Sequence, residues 1–167
     1  AEEPYDIKVA IAYWANFTFS CSGTDRWEQA LSNLPFFVHI TTNTSEMTHF
    51  ADVVLPAAHH LFEKWRFLKS KQNLHGYPSP TPPVIDPVWD VRQDETEVPW
   101  LLAEALADRG YDNMLRYFQE AFADPETGRH PANGTEFAVT ATKMLTRPCW
   151  ESGHPDYGKY GDALDGW

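Results

Sequence analysis

Three short apolar, β-prone runs constrain this chain most: "IKVAIAYWA" (Ile7 to Ala15), "FFVHI" (Phe36 to Ile40) and "DVVLP" (Asp52 to Pro56). Between the first two lies "TDRWEQALSNL". It places Trp27, Ala30, Leu31 and Leu34 on one helical face, with Thr24 as N-cap and Pro35 as its stop. Between the second and third, the polar run "TTNTSE" breaks the strand, and Ser45 to Phe50 has room for one or two helical turns. Strands joined through helices rather than tight hairpins run parallel. The first run holds a single Lys among apolar residues, the pattern of a strand buried on both faces. The expected fold is α/β, a parallel-sheet βαβ (Rossmann-like) domain.

From Ala57 to Glu97 the periodicity is lost among Pro, His and charged residues, including "YPSPTPPVIDP", so a long irregular insert is expected there. Order returns at "VPWLLAEALADRG", where Pro99 suits a first helical turn and Gly110 a position just past the C-terminus. "NMLRYFQEAF" and "GTEFAVTATKML" read as two further C-terminal helices, and the Gly- and aromatic-rich stretch after them has no periodicity. The expected division is residues 1–112 as the α/β domain and 113–167 as a helical and irregular connector.

The formal charge of −11 over 167 residues gives no basic face for nucleic acid. No apolar run reaches the roughly 18 residues of a membrane-spanning helix. Cys21 and Cys149 form no CxxC pair, which argues against a zinc or iron–sulfur site built from this chain; one disulfide and two buried thiols are equally consistent with them. The neighbours His59 and His60 diverge on any regular backbone, and His39 falls inside a strand, so single histidines without a metal are expected. No GxSxG, HExxH, GxGxxG or GxxxxGK[ST] motif is present, and no catalytic residue is assigned.

Ligands of open α/β sheets bind beyond the carboxyl ends of the strands. Three loops qualify: the one starting at Asn16, the one starting at Thr41, and the one from "PAAHH" to Glu63 and Lys64. Asn and Thr read a base or ribose well, and Lys neutralises phosphate.

Taken in order, "IKVAIAYWANFTFS", "FFVHITTNTSEMTHFADVVLPAAHHLFEKW" and "VIDPVWDVRQDETEVPWLLAEALADRGY" resemble the third domain of the molybdopterin oxidoreductases. The resemblance covers roughly residues 5 to 112, with "ADVVLP" and the following Glu-Lys as its most specific part. It departs at Trp14 and Phe17, where the family has Gly and Pro, and at Met47, where it has Thr. What the resemblance implies is binding of the guanosine end of one molybdopterin guanine dinucleotide (MGD). The residues it assigns are Asn16, Ile40, Thr41, Lys64 and Asp94, with Glu97 as the alternative acid. It implies a parent with molybdenum or tungsten held by two such cofactors and an iron–sulfur cluster elsewhere. The parent would carry out two-electron redox or atom transfer, with inorganic sulfur or arsenic compounds as candidate substrates. The remaining domains of that enzyme and its electron-transfer subunits are the implied partners. The periplasm is the implied compartment, with the cytoplasm as alternative. On this reading the chain is an excised piece, inactive alone. The alternatives are a non-catalytic scaffold of the same fold in a respiratory complex and a stand-alone nucleotide-binding module.

Overall fold

The computed structural model describes residues 5–58, 62–70, 77–89, 91 and 96–152. They divide into two compact units, Ala1–His59 with Pro87–Gln93, and His60–Asp86 with Asp94–Trp167.

The first unit is built on strands β1 (Ala10–Tyr13), β2 (Phe37–Thr41) and β3 (Val53–Pro56), all parallel in the order β1-β2-β3. A four-residue helix α1 (Phe17–Ser20) and helix α2 (Thr24–Ser32) connect β1 to β2, and a 3-10 turn (Glu46–Phe50) connects β2 to β3. Two right-handed crossovers that step the same way across a sheet lie on the same face of it. That face carries the core of Ala12, Phe37, Leu31 and Met47, with Ala10, Leu34 and Phe50 packed around it. On the opposite face Ile11 is 46% and Val53 37% exposed, while Ile40 near the end of β2 is 3% exposed. Strand β1 is therefore not buried on both faces as its composition predicts; it is an edge strand covered on one side. The helix expected to be capped by Thr24 is instead capped by Gly23, at φ 82°, while the Thr24 hydroxyl donates to the Thr18 carbonyl. Cys21 is neither buried nor in a disulfide; its thiol is free and exposed.

Asp52 fastens β3 to β2 at the end away from the ligand edge. Its N–H donates to the Phe37 carbonyl at 2.9 Å, and its carboxylate accepts the Phe37 N–H at 2.7 Å. Both backbone groups of a buried residue are thereby satisfied. This explains an acid placed directly before an apolar strand.

The second unit has a two-stranded antiparallel ladder, β4 (Arg66–Ser70) with β5 (Tyr77–Thr81), inside the stretch expected to be irregular. Its prolines, Pro78 and Pro80, are two residues apart. Only alternate residues donate in a two-stranded ladder, so both prolines are accommodated. Helices α3 (Glu97–Ala107), α4 (Asn113–Glu120) and α5 (Gly134–Trp150) complete the unit. The last runs further than "GTEFAVTATKML" predicts. Trp100, Phe118 and Phe137 meet in its aromatic centre, with ring centroids 4.6 to 6.3 Å apart. Gly110, at φ 89°, ends α3 as expected, and the Tyr111 N–H returns to the Leu106 carbonyl at 2.9 Å. After α4, the Lys143 ammonium meets Asp124 at 3.0 Å. Burial pushes the Asp124 carboxyl up, but the Thr127 N–H, Lys143 and the Glu126 N–H outweigh it and lower it to about 2.

Candidate functional site

Beyond the carboxyl ends of β1 and β2 lies an open cleft of about 580 Å³, a size suited to a small ligand. Asn16 and Phe19 form one wall, and Asn43 to Glu46, with Thr48 and His49, form the other. Asn16 leads the loop after β1, as the sequence predicts, and its side-chain amide donates to Glu46 at 2.6 Å while accepting the Thr18 hydroxyl at 2.9 Å. The Asn16 amide, the Glu46 backbone N–H and the charge of His49 hold the Glu46 carboxyl below the usual carboxylate range, against a small desolvation. Glu46 is exposed and stays an ionised acceptor at neutral pH. Phe19, 78% exposed, offers an aromatic surface of the kind on which bases stack.

The loops that form this cleft are held from beneath. The Trp14 N–H donates to the Ile40 carbonyl at 2.9 Å, joining the ends of β1 and β2. Trp14 adopts φ 57°, so the backbone takes the left-handed form suited to the Gly of the resembling family even though a Trp occupies the position. Met47, wholly buried, accepts the Phe17 N–H through its sulfur at 2.9 Å, which satisfies one N-terminal donor of α1. Phe17 stacks on Trp27 at 5.0 Å.

His39 is also wholly buried. Desolvation lowers its pKa, opposed by the hydrogen bond to the Ala15 carbonyl, and it is therefore neutral. A carbonyl can only accept, so Nε2 carries the hydrogen toward Ala15 at 3.1 Å. Nδ1 then accepts from the Thr48 hydroxyl at 3.2 Å, and that hydroxyl accepts the Ser45 N–H at 2.9 Å.

Of the residues singled out from the sequence, Asn16 lies in the cleft. Ile40 is 3% exposed and does not line the cleft; its carbonyl accepts the Trp14 N–H. Thr41 ends β2 behind the cleft; its hydroxyl donates to the Asn43 carbonyl at 2.8 Å and its carbonyl accepts the Ala57 N–H at 2.9 Å. Lys64 belongs to the second unit and is 2% exposed, so its ammonium is enclosed by protein. Asp94 lies outside the described residues. Glu97 accepts both the N–H and the hydroxyl of Thr135, at 3.0 and 3.1 Å, and so caps the start of α5. Glu46 was not legible as a site residue because "TTNTSE" reads as a polar break. No local signal marks it, because its partner Asn16 lies 30 residues away in the sequence. Among the described residues no group of three or more His, Cys, Asp or Glu converges to hold a metal ion. No described helix is long and apolar enough to cross a membrane.

Acidification should destabilise the two units over different pH ranges. His39 has a folded pKa below its ordinary 6.5, so the unfolded chain takes up its proton first. Its contribution is complete above pH 6.5 and is lost as the pH falls below that value. Asp124 keeps its contribution until the pH falls below 3.8, and loses it toward about 2. Residue-resolved hydrogen-exchange protection should decline in β2 from about pH 6.5 downward while the region of Asp124 holds. Simultaneous decline near pH 4 would contradict this order.

A parallel sheet with a cleft at its carboxyl edge places the first unit among the open α/β domains, whose ligands bind at that edge. No family model matches the chain. The chain is 49% identical, over its whole length, to the molybdopterin-containing subunit of the arsenate respiratory reductase of Chrysiogenes arsenatis. It is 48% identical, over 99% of its length, to the corresponding subunit of Shewanella sp. strain ANA-3. It spans about one fifth of these relatives, 20% and 19% of their lengths. The chain belongs to the molybdopterin oxidoreductases, as a segment of one.

Proposed function

We infer that this chain is the part of a respiratory arsenate reductase that holds the guanosine end of one MGD cofactor and helps frame the substrate funnel. The observation that carries the reading is the Glu46–Asn16 pair in a cleft at the carboxyl edge of the sheet. Guanine presents two adjacent donors, N1–H and the 2-amino group, and an ionised carboxylate is an acceptor that adenine cannot satisfy in the same way. Asn43 and Thr44 add amide and hydroxyl groups for a ribose. Among the described residues the cleft walls include no Lys or Arg, so the donor set fits a nucleoside better than a pyrophosphate. The resemblance also assigns Lys64 and Asp94 to the cofactor; both belong to the second unit, and the reading rests on the cleft of the first.

The molybdopterin named in the relatives supports the cofactor, and their arsenate reductase activity supports the reaction. When bound, the cofactor supplies an electron pair: arsenate takes two electrons and two protons, loses one oxygen as water, and becomes arsenite. The chain's own residues bind and orient the distant nucleotide end and touch no reacting atom. The remaining domains and electron-transfer subunits supply the metal environment and the electrons.

A heteronuclear NMR titration of the chain with GDP, against ADP as control, tests the reading. Saturable shifts at Asn16, Asn43, Thr44 and Glu46 are expected with GDP, weakened in Glu46→Ala. Equal responses to GDP and ADP would contradict guanine recognition.

A further inference from the structure

Strand β2 places an imidazole next to Phe37 on its core face, and both side chains are essentially unexposed, Phe37 at 1% and His39 at 0%. The rings stack with centroids 6.1 Å apart. An apolar side chain would fill this space without the cost of desolvating two ring nitrogens. Both nitrogens are used, and in one sense. The Ser45 N–H donates to Thr48 Oγ1, Thr48 Oγ1–H donates to His39 Nδ1, and His39 Nε2–H donates to the Ala15 carbonyl.

The ends of this relay are informative. Ala15 directly precedes Asn16, and Ser45 and Thr48 bracket Glu46. Asn16 and Glu46 are the two groups that pair across the cleft, so one buried ring fastens the segments that carry both of them.

We propose that His39, as the neutral Nε2–H tautomer, is a positioning residue for the nucleotide cleft. It fixes the loop after β1 against the 3-10 turn at the separation where Asn16 orients the Glu46 carboxylate toward a guanine edge. His39 itself touches no ligand. The inference rests on the guanosine reading above and adds to it the element that determines how sharply guanine is distinguished.

The test uses the full-length polypeptide containing this chain, purified without cofactor and titrated calorimetrically with GDP and with ADP. His39→Leu and Thr48→Val should each weaken GDP binding roughly five- to tenfold, the effect of misaligning one hydrogen bond to guanine, and leave the weaker ADP binding within about twofold. His39→Gln, whose amide offers both an N–H donor and an oxygen acceptor, should restore the preference for GDP. A merely structural histidine would lower both nucleotides together and would not be rescued by Gln. If His39→Leu does not fold, Thr48→Val decides, because it removes only a hydroxyl. Unchanged GDP binding in Thr48→Val, with Glu46→Ala weakened, overturns this inference and leaves the guanosine reading standing. Unchanged binding in Glu46→Ala overturns the guanosine reading. Absence of GDP binding by the unmodified polypeptide overturns both.

Discussion

Gly134→Ala should cost about 3 kcal/mol or more of stability in the helical unit, at the upper end for an overpacked site. A Cβ at Gly134 would run into the Thr96 carbonyl oxygen and lie 2.7 Å from its carbon and 2.9 Å from Glu97 Cα. These are backbone atoms, so no side chain can rotate away to make room. Helices α3 and α5 would have to separate where Glu97 caps α5 through Thr135 and where Trp100 meets Phe137. The substitution therefore removes a charged cap as well as introducing the clash. Urea unfolding of the chain measures it, with Ala132→Gly, in the loop before α5, as an exposed control. A loss below about 1 kcal/mol would mean that the start of α5 does not approach Thr96 this closely.

Phe37→Ala should cost about 3–5 kcal/mol in the α/β unit, the range for removing a buried aromatic side chain. Phe37 is 1% exposed and forms the core with Ala12, Leu31 and Met47. Its backbone pairing with Asp52 does not depend on the ring, so the loss reports packing and not the ladder. The adjacent Phe36 is 41% exposed, and Phe36→Ala should cost less than about 1 kcal/mol. Similar losses at the two positions would place the core face of β2 one residue out of register.

The parallel sheet was legible because its three strands are short, apolar and separated by a helical repeat. The same composition misled for β1. An apolar strand looks the same whether its second face is covered within the chain or left open, and Ile11 is left open. The β4–β5 ladder was not legible because Pro78 and Pro80 read as strand breakers, which they are in a central strand but not in a two-stranded one. The place of Asn16 in the cleft was legible, because the loop after a parallel strand opens at the carboxyl edge of the sheet. Glu46 and the relay through His39 were not. Each depends on a partner distant in sequence, Asn16 for Glu46 and Ala15 for His39, and local patterning carries no trace of such pairs. The Asp of "ADVVLP" stood out in the sequence, and its role proves to be fastening two strands at the end opposite the cleft.

The measurement that bears most directly on the guanosine site is an experimental structure of the full-length polypeptide with its cofactor in place. The account predicts a guanine ring in the cleft between Asn16 and Glu46, with N1 and the 2-amino nitrogen within hydrogen-bonding distance of the Glu46 carboxylate. A guanine bound elsewhere, with this cleft closed over by another part of the polypeptide, would contradict it.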